Sequence, residues 1–286
     1  MKTFITRTIT ALFFVAIMLG GILWSPLSFF LLFFLVNFFA LQEYAKLVRH
    51  IDADYTEISS WHRYGALIAG CAMMLAFTGS NFERNGLSLG EIGWAMSFVF
   101  ILILPLGEIL MGKTFSLKTI GYSLLGLMYV TVPFGLLVDL SFTEVPGHHA
   151  PGYLIPLLLI CFIWINDTMA YIVGSLIGRT PFAPTISPKK TIEGTVGGMI
   201  LAVAAAGVFG HFWGHQWLPL QHWIALSAIA AVFGTAGDLL ESRLKRLAGV
   251  KDSGNIMPGH GGFLDRFDSL LVAAPFAWIY VSLFVR

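Results

Sequence analysis

The sequence is poor in charged residues and in cysteine. Only 12% of its 286 residues are Asp, Glu, Lys or Arg, against about 25% in a typical soluble domain. Cys71 and Cys161 are the two cysteines, and both lie in apolar stretches, where a cysteine is typically a small packing residue. The net charge is only +1, so nothing indicates a nucleic-acid partner. These shortages exclude a disulfide scaffold and an ordinary soluble domain.

Apolar sequence is abundant instead, with 57% hydrophobic residues and a mean hydropathy of +0.79. A membrane-spanning helix needs about 20 mostly apolar residues, because hydrocarbon cannot hydrogen-bond the backbone. Nine such runs lie at about 8–24, 28–48, 64–80, 92–111, 118–138, 153–177, 193–213, 222–240 and 269–285. They mostly lack a polar face, unlike the helices of a soluble protein. The sequence therefore predicts an all-α polytopic membrane protein with about nine transmembrane helices.

The distribution of Lys and Arg predicts the orientation of these spans. If the N-terminus is cytoplasmic, 15 of these residues lie in inside segments, and only Arg84 and Arg286 lie outside. This is a strong positive-inside bias, which places the C-terminus outside and predicts a multi-pass protein of the cell (inner) membrane. We expect an N-terminal region of spans one to five (residues 1–150) and a catalytic region of spans six to nine (151–286), with its polar site facing the cytoplasm.

Three polar segments interrupt the apolar pattern, and the first contains Asn166 and Asp167. The spacing of Asp167, Tyr171, Gly174 and Gly178 places them on one helix face. A carboxylate inside a membrane is a functional candidate, because burying it unpaired costs several kcal/mol. The alternative is helix packing, with the glycines allowing close contact and Asn166 bonding across an interface.

The second segment runs from Ser187 to Gly198. Ser187 is predicted to cap a helix whose first residue is Pro188. Lys189 and Lys190 would then lie in the first turn, where the helix dipole makes positive charge unfavourable. An anion bound at that helix terminus would remove the conflict. Alternatively, the two lysines only mark a cytoplasmic loop.

The third segment is the most highly charged, with ten charged side chains between Asp238 and Asp268. Asp238, Glu241 and Lys245 share one helix face, and Ser242 and Arg246 lie on an adjacent stripe. Carboxylates without cysteine suit Mg²⁺, and neighbouring cations suit phosphate groups. The segment therefore predicts phosphoryl or nucleotidyl transfer on a lipid at the membrane surface. In the turn "MPGHGG", His260 is either a catalytic or phosphate-binding residue or a structural one.

The residues of this segment resemble a known family. The run Ser242-x-Leu-Lys-Arg, Lys251-Asp252-Ser-Gly, Pro258-Gly-His-Gly-Gly and Asp265-Arg-Phe-Asp268 resembles the signature of phosphatidate cytidylyltransferases, also called CDP-diacylglycerol synthases. The blocks "NDTMAYIVG" and "SPKKTIEGTVGG" precede it in the same order as in that family. The resemblance covers about residues 165–271, and the first 150 residues match only as hydrophobic spans. Met257 is a small departure, since Ile or Leu is expected there.

The resemblance implies that CTP and phosphatidic acid react to give CDP-diacylglycerol and pyrophosphate in phospholipid biosynthesis. It also implies Mg²⁺, a second, monovalent cation such as K⁺, and a homodimer. Four carboxylates become candidate metal ligands: Asp238, Asp265, Asp268 and Glu241. The candidate catalytic residues are Asp238, Asp265, Lys245, Asp167 and His260. The candidate substrate-binding residues are Ser187, Lys189, Lys190, Ser242, Arg246, Lys251 and Arg266.

Two other classes of membrane protein also carry polar residues within apolar spans. A transporter with an ion site at Asn166 and Asp167 needs an ion path, but the outer halves of spans seven to nine have no ionisable residue apart from histidines near His211. A CDP-alcohol phosphotransferase would carry the pattern D-G-x₂-A-R, which is absent here. Both therefore explain the polar segments less well.

Overall fold

The computed structural model describes residues 2–111, 116–254, 256 and 261–286. Within these residues each of the nine apolar runs forms a helix, which confirms the predicted all-α class. The helices are α1 (Lys2–Trp24), α2 (Pro26–Ile51), α3 (Ser60–Ala76), α4 (Leu89–Met111), α5 (Leu117–Leu140), α6 (Leu154–Ile177), α7 (Ile192–Gly214), α8 (Leu220–Leu247) and α9 (Leu264–Phe284). Seven of them, α2 and α4 to α9, are long and apolar enough to cross a bilayer.

Local polar residues determine where several helices begin. Ser25 caps α2 by accepting a hydrogen bond from the Ser28 amide at 3.0 Å, and the Ser28 hydroxyl accepts from the Ser25 amide at 2.9 Å. With Pro26 as the first helical residue, this capping box separates α1 from α2. A short 3₁₀ turn, Ala53–Thr56, follows α2. Ser59 then caps α3, since its hydroxyl accepts from the His62 amide.

Two compact units make up the chain: Met1–Asp139 with Leu244–Arg266, and Leu140–Arg243 with Phe267–Arg286. In the first unit, α3 packs along α4, and α2 contacts α1, α3 and α5. Its core includes Phe33 and Phe134, whose ring centroids lie 5.9 Å apart and whose side chains are fully buried. These units are defined by packing alone. The predicted functional division into an N-terminal region (1–150) and a catalytic region (151–286) stays a prediction.

The second unit is built around the pair α6 and α7 and around Trp223 of α8. Trp223 is buried, contacts Phe162 of α6 and Phe209 of α7, and donates its indole N–H to the Leu218 carbonyl at 3.1 Å. Helix α9 packs on α8 through the stacked rings of Phe233 and Phe276. This aromatic core fixes the helices that carry the polar residues of the unit.

Two short antiparallel hairpins occur among the described residues, β1 (Glu83–Arg84) with β2 (Leu87–Ser88) and β3 (Pro181–Ala183) with β4 (Ser187–Thr191). The second hairpin corrects the prediction that Ser187 caps a helix beginning at Pro188. Ser187 and the two lysines lie in β4, and Thr191 caps α7 instead, accepting from the Gly194 amide at 3.2 Å. Pairing with β3 satisfies the strand backbone, so the helix starts four residues later than predicted.

Candidate active site

Asp265 is the centre of a polar cluster in the first unit. It lies in the first turn of α9, where a carboxylate is stabilised by the helix dipole, and its side chain is only 5% exposed. Lys245 at the end of α8 donates to Oδ1 at 2.6 Å. Oδ2 accepts from the amides of Ser253 at 2.9 Å and Gly262 at 2.8 Å. Two of the sequence-predicted residues, Lys245 and Asp265, therefore form a largely buried ion pair, and backbone amides hold its carboxylate in place.

Glu43 of α2 supports the same cluster from the other side. Its carboxylate accepts from the amides of Phe263 at 3.1 Å and Leu264 at 2.8 Å, at the N-terminus of α9. The Ser253 hydroxyl lies 3.0 Å from Glu43 Oε2 and 2.9 Å from Asp265 Oδ2. Since that hydroxyl has a single proton, it donates to one of the two carboxylates at a time. Glu43 thus fixes both the loop and the helix that hold Asp265.

The packing around Glu43 explains two glycines of the motif. A Cβ at Gly254 or at Gly262 would overlap the Glu43 carboxylate. Phe263 stacks on Phe39 of α2, with ring centroids 5.1 Å apart and an interplanar angle of 11°. Helix α2 therefore acts as the support on which the loop before α9 is built.

Asp238 of α8 is the centre of a second polar cluster, in the second unit. It forms an ion pair with Lys190 of β4, and the two side chains are 27% and 26% exposed. Ser242, one turn later on α8, donates its hydroxyl to Asp238 Oδ1 at 3.3 Å. A Cβ at Gly237 would overlap the carbonyl oxygen of Asp268, so α9 passes α8 closely beside Asp238.

A cavity of about 620 Å³ adjoins this second cluster. Its lining includes residues of α6, β4 and α8: Asn166, Asp167, Tyr171, Gly174, Lys189, Lys190, Thr191, Thr235 and Asp238. The Asn166 amide group lies 3.4 Å from both the Thr235 hydroxyl and Asp167 Oδ1. The predicted shared face of Asp167, Tyr171 and Gly174 is confirmed, and this face borders a polar cavity that contains both signs of charge.

The glycines near this cavity allow the close helix packing that is the alternative interpretation of their spacing. A Cβ at Gly194 would come within 2.9 Å of the Gly174 Cα and 2.7 Å of the Ala170 carbonyl, and a Cβ at Gly198 would come within 2.8 Å of the Asn166 carbonyl. Helices α6 and α7 therefore approach closely along these positions. Gly178 lies just beyond the end of α6, in extended backbone. The glycines on this face of α6 therefore serve helix packing, and the predicted functional role of Asp167 stays a prediction.

The remaining predicted residues differ in their exposure. Glu241 is fully buried on α8, and Asp268 is partly buried and accepts from the Ser269 amide at 2.7 Å. Several predicted substrate-binding cations are exposed, namely Lys189, Arg246, Lys251 and Arg266. His260 and Met257 lie outside the described residues.

The donor chemistry of both clusters suits a hard cation. Among the described residues, no three His, Cys, Asp or Glu side chains form a group that would hold a metal by themselves. Mg²⁺, however, usually takes only one or two protein carboxylates and completes its shell with water and substrate phosphates. Asp238 and Asp265 each present a partly desolvated carboxylate that a lysine already neutralises, so each is a site that favours positive charge. The predicted metal-ligand set, which includes Glu241 and Asp268, stays a prediction.

Sequence reasoning missed Glu43, Ser253 and Thr235. Glu43 had a usable signal, because it is an acidic residue inside the second apolar run, and the rule that singled out Asp167 applies to it equally. Ser253 lies inside the recognised motif, but only the structure shows its hydroxyl between two carboxylates. Thr235 gave no signal, since a threonine in an apolar helix usually bonds to its own backbone, as this one also does to the Ala231 carbonyl.

Comparison with known proteins identifies the family. A family model described as "Cytidylyltransferase family" matches residues 5–284. The chain belongs to the cytidylyltransferase family. It is 35% identical over 269 residues to the phosphatidate cytidylyltransferase of Staphylococcus saprophyticus, covering 94% of this chain and 95% of that relative. It is also 36% identical over 206 residues to the Bacillus subtilis protein of the same name, covering 72% of each chain.

Membership in the cytidylyltransferase family confirms the family predicted from the motif between Ile165 and Leu271. The family match also extends over residues 5–150, a region that resembled the family only as hydrophobic spans. The family match therefore includes Glu43 as well as the motif.

Proposed function

We propose that this chain transfers the cytidylyl group of CTP to phosphatidate, giving CDP-diacylglycerol and pyrophosphate for phospholipid synthesis. The names of the relatives support this reaction over nearly the whole chain. The observation that carries it is the Lys190–Asp238 pair at the polar cavity of the second unit. An enzyme that brings two polyanions together needs cations whose partners can be exchanged for substrate phosphates, and Lys190 is such a cation at the edge of this cavity.

The chemistry needs little covalent help from the protein. A phosphate monoester has a second pKa near 6, so the phosphatidate headgroup is mostly a dianion at pH 7. One of its oxygens attacks the α-phosphorus of CTP, a new P–O bond forms, and the bond to the β-phosphate oxygen breaks to release pyrophosphate. No strong general base is required. Positioning and charge neutralisation therefore account for most of the catalysis.

The described residues supply both requirements. We propose that Lys190 leaves Asp238 to bind a substrate phosphate, with the exposed Lys189 beside it on β4. Lys245 remains fixed by Asp265 and presents its charge from a position that the backbone determines. Each of Asp238 and Asp265 offers hard oxygen ligands suited to Mg²⁺, which when bound supplies positive charge to phosphate oxygens.

The cellular setting is part of the same proposal. The positive-inside bias of 15 to 2 supports a catalytic region that faces the cytoplasm, where CTP is available. The family resemblance supports a homodimer and a monovalent cation in addition to Mg²⁺. Light scattering of the detergent-solubilised protein tests the dimer, and activity in K⁺ against a bulky organic cation tests the second ion.

One assay tests the reaction itself. Purified protein in liposomes is mixed with phosphatidate and CTP labelled in the cytidine ring, and the lipid fraction is counted. We expect label in the lipid with wild-type protein, no label without phosphatidate, and loss of label with EDTA that is restored by added Mg²⁺. Absence of labelled lipid at saturating CTP and Mg²⁺ would contradict the proposed function.

A further inference from the structure

A second large cavity, of about 630 Å³, lies in the first unit and has a different character. Its walls come from α2, the 3₁₀ turn, α3, α4, α5 and the loop at Ser253, Gly254 and Ile256. Most of the lining is apolar or aromatic, including Phe38, Leu67, Ile68, Leu75, Met96 and Leu127. A cavity of this size is in the range of small-molecule and lipid sites.

Charge is concentrated at one end of this cavity. Lys46 and Arg49 lie three residues apart near the end of α2, and Arg63 lies in the first turn of α3. Because only the short segment around the 3₁₀ turn joins the end of α2 to the start of α3, these cations line the end of the cavity nearest that turn. Among the described residues none of the three cations forms an ion pair, and the buried Arg63 Nε donates no hydrogen bond. The acid in the lining, Glu43, is already occupied by Ser253 and the start of α9.

The cavity is elongated along α3. From Arg63 to Leu75 the lining follows this helix over 12 residues, or about 18 Å at 1.5 Å per residue. Leu67 and Cys71 lie between these two ends at four-residue intervals, hence on nearly the same face. Tyr64 and Ile68 also line the cavity and are 61% and 42% exposed, so the cavity is open beside α3. The site therefore has a cationic head, a long apolar body and a lateral opening, which matches an anionic lipid.

We propose that this cavity binds the phosphatidate substrate, with its phosphate at Arg49, Arg63 and Lys46 and an acyl chain along α3. Arginine suits a phosphate because its guanidinium donates two parallel hydrogen bonds. Ser253, which lines the cavity, also donates to Asp265, so within this unit the lipid would lie beside a candidate catalytic carboxylate. This assignment rests on the proposed function, which names the lipid.

The test uses Cys71, which lines the cavity, as a reporter that needs no turnover. In a Cys161→Ala background, the rate of Cys71 alkylation by N-ethylmaleimide is measured in phosphatidylcholine nanodiscs without CTP. Adding phosphatidate is expected to slow alkylation by about tenfold, and Arg49→Gln/Arg63→Gln is expected to abolish this protection, since each charge-assisted contact contributes on that scale. Arg84→Gln, at an exposed arginine of the same unit, is the matched control and should keep it.

Repeating the experiment with lipids that differ in their headgroup identifies the ligand. Diacylglycerol, which lacks the phosphate, should not protect Cys71, and phosphatidylglycerol should protect it much less than phosphatidate. Equal protection by both anionic lipids would overturn the substrate assignment in favour of a general anionic-lipid site. Equal protection in the double-arginine variant and in wild type would overturn the headgroup site.

A second variant tests the acyl end independently of the arginines. Leu75→Trp narrows the cavity far from the cations, so it should raise the KM for long-chain phosphatidate several-fold while leaving the KM for CTP and for a dihexanoyl phosphatidate unchanged. An unchanged long-chain KM would contradict the proposed chain path. Protection of Cys71 without any lipid labelling by CTP would reject the proposed function but keep the lipid site. Lipid labelling by CTP without protection of Cys71 would keep the proposed function but reject the lipid site.

Discussion

Replacing Glu43 by Gln is the perturbation that tests how the first unit positions Asp265. The change keeps the size of the side chain but removes its charge, and it turns one carboxylate oxygen into an NH₂ group that faces amide donors. Bonds to a charged group contribute about 1.5–3 kcal/mol each, neutral bonds about 0.5–1.5, and a buried N–H without an acceptor costs about 1–3 kcal/mol. With two backbone amides and the shared Ser253 hydroxyl on Glu43, we expect the loop and the start of α9 to lose about 3–5 kcal/mol of local stability.

This local loss should appear mainly in turnover. A displacement of about 1 Å of a catalytic group costs on the order of 100-fold in rate, so Glu43→Gln should lower kcat by about that factor with little change in the KM for CTP. Hydrogen exchange should also become faster at the amides of Phe263 and Leu264.

Glu108→Gln is the matched control for this experiment. Glu108 is a buried acid in α4 of the same unit, and it accepts hydrogen bonds from Ser59 rather than from the loop before α9. It should lower the unfolding temperature and leave kcat near wild type. If Glu43→Gln retains a normal kcat, or if both variants lose kcat equally, the positioning role of Glu43 is refuted.

Three further predictions concern packing, pH and topology. Gly194→Ala should destabilise the protein by about 1–3 kcal/mol because its Cβ overlaps α6, measured as a lower Tm, whereas Gly121→Ala meets no atom within 4 Å and should not. The hydrogen bond from Lys118 holds the pKa of Asp52 below its usual value, so this pair stabilises the fold above pH of about 4 and the contribution is lost as the pH falls further. The stability difference between wild type and Lys118→Met should therefore shrink on acidification, and a constant difference would contradict the linkage. A reporter fused after Gly254 should be cytoplasmic and one at the C-terminus external, and the opposite pattern would overturn the predicted orientation.

Hydrophobic run length predicted the helices well, because a bilayer imposes a minimum apolar length on each of them. The ends were less predictable where polar residues continue a helix. Helix α8 runs to Leu247, seven residues beyond the apolar run that ended at 240, since Leu, Glu, Lys and Arg there are strong helix formers. Asp238 and Lys245 consequently lie within one continuous helix, as their spacing had indicated.

The segment at Ser187 shows where local rules fail. Ser followed by Pro is a helix-start signal, yet pairing with Pro181–Ala183 makes the segment a strand. That pairing depends on backbone contacts that no local pattern reports. The result changes the physical account of Lys190: it is fixed by an ion pair with Asp238 rather than by an anion at a helix terminus.

The candidate site was predictable where chemistry is concentrated in one segment, and less so where a distant helix contributes. Asp238, Lys245 and Asp265 lie in a charged segment that is unusual in so apolar a chain, and the family resemblance implied their roles. The structure places Lys245 on Asp265. Glu43 lies more than 200 residues before the loop it holds, so its partners required the folded structure. The metal-ligand roles predicted for Asp238 and Asp265 stay predictions.

The most direct test of the account is the turnover of Asp238→Asn and Asp265→Asn in the labelled-CTP assay. Each change keeps the shape of the side chain and removes the charge, and each should reduce turnover by at least about 100-fold at saturating Mg²⁺. Asp252→Asn, an exposed charge in the same loop, is the control and should lose less. Near-normal turnover in both single variants, with normal expression and folding, would contradict the central claim that these two carboxylates carry the catalysis.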